Sequence, residues 1–155
     1  MSKPQKAEGG KVTLRIRVKQ HELGEDCVTE MITSARLSEK NGKVYLIYRE
    51  SNPEEGEMAC VIKAGRDRLD IVRRGSGESH MVLAVGMRTA EMRLTPAGPM
   101  LIETETTGYR LEQEEGMLRI EAEYDLFLER EFTSSCRALI EAVCEDEDSK
   151  GVQAG

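Results

Sequence analysis

The residues from which this chain could build an active site are few. There are two histidines and four cysteines, and a general base, a thiolate or a metal site would have to draw on them. His21 falls in a segment, with Gly24 inside it, that reads as a turn, and His80 lies on the strand face opposite Met81 and Leu83. Neither belongs to an HExxH pair or stands near a GxSxG nucleophile turn, and neither has further ligands at metal spacing. Cys27, Cys60, Cys136 and Cys144 form no CxxC pair and join no histidine cluster. They read as small apolar residues of a reducing compartment. No catalytic residue, no metal site and no cofactor is therefore expected.

Two other patterns invite chemistry and then decline it. Gly75-Ser76-Gly77 behind Arg73-Arg74 resembles an anion nest, but a phosphate loop must run from a strand into a helix N-terminus, and the next segment reads as a strand. Glu103/Glu105 and Glu121/Glu123 are paired carboxylates such as glycosidases use. Here they alternate with apolar residues on the wet face, where Arg110, Arg119, Arg130 and Arg137 are the expected cross-strand partners. The polar residues in phase with the dry face are more informative. Arg73 follows Leu69 and Ile71, Thr104 and Thr106 follow Met100 and Ile102, and Tyr124 sits between Ala122 and Leu126. A mostly apolar wall with a few fixed polar groups is what a ligand-holding barrel presents.

The elements that carry these residues follow a period of two. Val12, Leu14, Ile16 and Val18 alternate with Thr13, Arg15, Arg17 and Lys19, giving a strand with one dry and one wet face. A weaker strand over 27–37 leads to Asn41-Gly42, a strong hairpin signal because this pair takes positive φ readily. VYLIYRE (44–50), the Met58/Cys60/Ile62 set, Leu69/Ile71 and Met81/Leu83/Val85 continue the rhythm. Gly86 and the breaker-rich 95–99 interrupt it. Met100–Thr106 and Leu118–Leu126 are the clearest late strands, with 112–116 expected as a loop. Over 130–143, Phe132, Cys136, Ala138 and Ile140 share a side, and strand is favoured there over helix. Some ten short strands without crossover helices imply antiparallel connections, so the expected fold is all-β, a single up-and-down β-barrel of 8–10 strands, with a two-sheet sandwich as the alternative. The domain spans 11–143, between a disordered N-terminus (1–10) and a disordered acidic tail (144–155).

With 155 residues the chain is one domain. Its 39% apolar and 33% charged composition, with no apolar run near the ~20 residues of a spanning helix, excludes a helical membrane protein. The opening MSKPQKAEGG lacks a secretory leader's apolar stretch, so a cytoplasmic location is expected. A net charge of −7, part of it in Glu145–Asp148, argues against nucleic acid as a partner, and no membrane partner is expected. Monomer and homodimer both remain open. With no Trp, two Phe and four Tyr, the interior is filled by Leu, Ile, Val and Met; it is either packed solid or hollow.

In order and spacing, GKVYLIYRE, IVRRG, HMVLAVG, LTPAGPMLIETETT and GMLRIEAEYDL resemble the YwiB-like bacterial proteins over about 12–142. Met92 departs from that pattern, in which an aromatic often precedes the Thr-Pro turn. The resemblance implies a calycin-like (lipocalin-superfamily) barrel and supplies no activity. The reading that follows is a non-catalytic barrel binding a small amphipathic or anionic molecule. Arg73 would sit at its mouth, and Met81, Leu83, Ile102, Thr104, Thr106, Leu118 and Tyr124 would line its wall. The rival is a solid-cored structural or interaction module, homodimeric through its barrel faces.

Overall fold

The computed structural model describes residues 10–53, 56–75 and 77–145. The expected disordered segments lie outside the described residues, except that Gly10 opens the first strand, Cys144 closes the last, and Glu145 is bonded to Lys11 and Thr13 of the first strand. Among the described residues there are ten strands and no helix. The strands are β1 (Gly10–Glu22), β2 (Glu25–Lys40), β3 (Lys43–Asn52), β4 (Gly56–Ala64), β5 (Arg68–Arg74), β6 (Glu78–Ala84), β7 (Arg88–Thr95), β8 (Gly98–Glu114), β9 (Met117–Leu128) and β10 (Glu131–Cys144). Every ladder is antiparallel, in the order β6-β5-β4-β3-β2-β1-β10-β9-β8-β7. The first and last strands pair over their length, Val12 opposite Cys144 through His21 opposite Ser135. The meander thus curls into a nearly closed barrel whose two ladder ends, β6 and β7, meet in mid-sequence. Among the described residues no helix is long and apolar enough to cross a membrane.

The alternation works as read. Inward Val12, Leu14, Val44, Leu46, Ile62, Leu69, Leu118, Ile120 and Ile140 are almost wholly removed from water. Each fully buried side chain of this size contributes roughly 1.5–3 kcal/mol, so this cluster is the main source of stability. Asn41 and Gly42 take φ of 54° and 76°, the paired positive angles of a tight hairpin turn. Glu131–Cys144 is a strand, because Ser134, Cys136, Ala138, Ile140 and Ala142 alternate inward and both its edges are laddered.

Three expectations change. Val85 does not extend the inward set of Met81 and Leu83, because β6 ends at Ala84 and Val85 is exposed in the turn that follows. The charged stretch 112–116 is not a loop as a whole. β8 continues to Glu114, with Glu112, Gln113 and Glu114 opposite Arg119, Leu118 and Met117, so charged side chains ride outside a continuing ladder. Phe132 does not share the inward face of Cys136. A bulge between Phe132 and Ser134 inserts one residue and reverses the phase. Phe132 is exposed and meets Phe127 edge-on at 5.9 Å. A second bulge, between Thr106 and Gly108, does the same in β8, so Thr104 and Thr106 point inward before it and Tyr109 and Leu111 after it.

The lacing is uneven. β2 pairs with β3 only from Arg36 to Lys40, so its first half carries a free edge. β6 and β7 share no ladder, and side chains span their gap. Thr89 donates its hydroxyl to the Val82 carbonyl at 3.1 Å, and the Glu91 carboxylate accepts the His80 backbone N–H at 3.0 Å. Both gaps lie toward the end of the barrel where Gln20, Glu50 and Arg73 sit.

Candidate polar site at the open end

Two rows of inward side chains define this end. Tyr48, Cys60, Arg73 and Ser79 are cross-strand neighbours on β3 to β6. On the opposite wall, Thr106, Tyr124, Cys136 and Gln20 form the corresponding row on β8, β9, β10 and β1. The rows feel each other, since the Arg73 charge acts on the Tyr124 phenol. Cross-strand pairing sets the rows, and the phase of each strand turns them inward.

Arg73 is half-buried. Its nearest carboxylate is Glu50, 3.5 Å from Nε but outside hydrogen-bond geometry. Burial is the strongest single influence and works against its charge, but Glu50, Tyr48 and Cys60 together outweigh it and hold the guanidinium pKa above its usual value. Three buried polar atoms here have no partner at hydrogen-bond geometry: the Tyr48 hydroxyl, Arg73 Nε and the Thr106 hydroxyl; the weakly bonding Cys60 thiol is the polar group beside the first two. Tyr48 is 4% exposed and Thr106 2%. Leaving such groups unmatched costs about 1–3 kcal/mol each. Gln20, by contrast, donates to Ser134 Oγ at 2.9 Å.

Burial pushes both phenols, Tyr48 and Tyr124, well above the ordinary tyrosine range. It also raises the thiols of Cys60 and Cys136. These groups stay protonated at neutral pH. They serve as hydrogen-bonding and packing groups, and the thiols are poor nucleophiles.

The β6–β7 gap adds a cleft of about 220 Å³, lined by Met81, Ile102 and Thr104 together with His80, Thr89, Glu91 and Arg93. Arg93 pairs with Glu91 at 3.0 Å and donates to Ser79 Oγ, which in turn donates to Glu91. Ser79 is also the cross-strand neighbour of Arg73, so cleft and rows form one continuous polar surface.

Of the residues read from the sequence, Arg73, Thr106 and Tyr124 belong to the facing rows, and Met81, Ile102 and Thr104 to the adjoining cleft. Leu83 and Leu118 do not join them. Leu83 pairs with Leu69, four residues or ~13 Å along β5 from Arg73, and Leu118 lies six residues or ~20 Å before Tyr124. Both are packed in the apolar end. Tyr48, Glu50, Cys60, Glu91 and Arg93 were not singled out. Tyr48 and Glu50 continue the phase of Val44 and Leu46, a signal that was present. Of the paired carboxylates only Glu123 meets an expected cross-strand partner, Arg137 at 2.6 Å; Glu121 meets Arg119 on its own strand, Glu103 and Glu105 pair with Arg88, and Arg110 turns to Glu112.

No curated protein matches this chain. Among solved structures it is similar to the crystal structure of the ywiB protein from Bacillus subtilis, with a TM-score of 0.79 at 20% identity over 90% of this chain and 96% of that one. At that identity the likeness establishes the fold. Residues 11–140 match the model of a family described as a domain of unknown function, DUF1934, and the chain belongs to that family.

Proposed function

We propose that the barrel is a non-catalytic binding protein that holds a small anionic or amphipathic molecule at its polar end. The observation that carries this reading is the set of unpartnered buried atoms on facing walls: Tyr48 Oη, Arg73 Nε and Thr106 Oγ1. Buried polar atoms are normally hydrogen-bonded, and a carboxylate or similar oxygen acid is the acceptor that such donors lack. Half-buried Ile71, Met81 and Leu126 beside them supply an apolar surface for the rest of the molecule. The calycin-like resemblance points the same way. Native mass spectrometry of the protein purified from cells that normally make it is expected to reveal a bound small molecule, lost in Arg73→Ala and weakened in Thr106→Val. A protein that carries nothing, and whose melting temperature no small carboxylate or fatty acid raises, would count decisively against it.

One observation favours the rival reading, a homodimer through the outer wall. Both phenylalanines face outward, and exposed Met92, Leu94 and Phe132 lie along β7 to β10, where an apolar patch marks an interaction surface. Sedimentation equilibrium settles it: Phe132→Glu should dissociate a dimer, and a wild-type protein that stays monomeric ends this reading.

A further inference from the structure

A different surface, at the opposite end and on the outside, carries a second site. Around the β4–β5 turn a cleft of about 470 Å³ is lined by Lys43, Lys63, Gly65, Arg66, Asp67, Arg68 and Asp70. Four cations against two carboxylates give this cleft a charge of +2, on a chain whose net charge is −7. Its carboxylates are unevenly used. Asp70 receives Arg68 through both oxygens, at 2.9 and 3.1 Å, and His80 Nε2 at 2.8 Å. Those bonds leave Lys43, Lys63 and Arg66 to face Asp67 alone, and no carboxylate among the described residues forms an ion pair with any of the three.

The cleft is also built in advance of any ligand. The turn is closed by the Gly65 N–H on the Arg68 carbonyl at 2.8 Å. From β8, Tyr109 donates its hydroxyl to the Gly65 carbonyl at 2.7 Å. Burial, with the nearby Asp67 charge, lifts that phenol to about 12, so the bond persists at neutral pH. Lys43 lies along Gly65, where an added Cβ would be 3.6 Å from its Cγ. The Lys63 ammonium rests 5.9 Å from the centre of the Tyr45 ring. Bare glycine, a pinned turn and two oriented lysines form a positive recess that needs no rearrangement to receive an anion.

We infer that this cleft binds a phosphate dianion, as the free ion or as the monoester of a small molecule, with Lys43, Lys63 and Arg66 as its counter-charges. The charges match: an excess of +2 is met by a phosphate monoester, which is close to dianionic at neutral pH. A singly charged diester leaves one cation unmatched. The site is independent of the barrel interior, and Arg73→Ala leaves it intact.

The test is a titration of the full-length protein, followed by the backbone amide resonances of residues 65–68 at low ionic strength. The probes are inorganic phosphate, glycerol 3-phosphate and dimethyl phosphate. Saturable shifts with the first two, and much weaker ones with dimethyl phosphate, are expected. The ratio of the first two affinities tells free ion from ester. The double variant Lys43→Ala/Lys63→Ala should weaken binding about tenfold. Arg66→Glu, a change at an exposed turn residue, should abolish it without disturbing the fold. Absence of saturable shifts at 65–68 would overturn the inference. So would shifts that survive both variants, equal binding of dimethyl phosphate, or a single-stranded oligonucleotide that competes more strongly than the monoester.

Discussion

Leu14, Leu46, Ile62, Leu118, Ile120 and Ile140 fill one end of the barrel, where the ladders around them are continuous from β3 through β5 and from β2 through β8. A few residues further along the same strands, Tyr48, Cys60, Arg73, Thr106 and Tyr124 face inward, and there the wall is unlaced at β2–β3 and held by side chains at β6–β7. The contrast shows what backbone pairing does in each place. An oily interior needs an unbroken wall, since a gap would wet it and expose unpaired peptide groups together. A polar interior tolerates gaps, because water or a ligand entering through them finds groups to bond.

Substitutions separate the two ends most sharply in the core. Leu14→Ala or Ile120→Ala should lose about 2–5 kcal/mol in urea unfolding, with a fall in melting temperature of about 5–15 °C. A cost below about 1 kcal/mol at either position would mean that this end is loosely packed and the contrast false. Next in size is the seam. Glu91→Ala removes the acceptor for the His80 N–H and for Ser79 and Arg93, and should cost about 1–2 kcal/mol. Hydrogen exchange at the His80 amide should quicken, and Glu91→Gln, which keeps an acceptor, should lose less. Tyr48→Phe deletes a buried hydroxyl that has no partner, so it should relieve part of that cost and raise stability by about 1 kcal/mol. A loss above about 2 kcal/mol would show that the hydroxyl is bonded after all and would blur the difference between the ends.

The smallest effect is on pH dependence. Burial raises the Asp70 pKa, but hydrogen bonds from Arg68 and His80 more than reverse this, leaving it below the ordinary 3.8. A carboxylate depressed in the folded state contributes stability above its unfolded pKa and loses it as pH falls through the folded value. Asp70→Asn should therefore flatten the decline in stability below about pH 4 in urea melts repeated across that range. An unchanged acid slope would remove Asp70 from the account.

How much of this was legible in the sequence depended on phase. Where a strand keeps one phase, as from Val12 to Val18 or Leu118 to Leu126, the alternation of oily and charged residues fixes face, neighbours and burial, and the barrel follows. Phase was lost at the bulges beside Thr107 and Thr133. A single inserted residue there leaves no compositional mark, and Phe132 consequently read as core. β7 is a harder case. Ala90, Met92 and Leu94 face outward while Thr89, Glu91 and Arg93 face in, so periodicity alone assigns its faces the wrong way round. Its inward charges are stabilised by Ser79 and the His80 amide on β6, contacts between strands that local pattern does not encode. The same limit hid the grouping of Arg73 with Glu50. Each residue was in phase, but which strand lay beside which had to come from the fold. Leu83 and Leu118 shared the inward face with the polar site without sharing its depth.

Pairing β1 with β10 has a consequence for how the molecule is made. Within the barrel, the strand made first must wait for the strand made last, so the ring stays open until all ten strands have been synthesised. Its slowest folding step should be the capture of one end by the other. Cutting the chain at the Val85–Met87 turn and linking the end of β10 to the start of β1, which their ladder already brings together, would give a permuted barrel in which every laddered strand follows its neighbour in sequence. That version should close faster around the same interior.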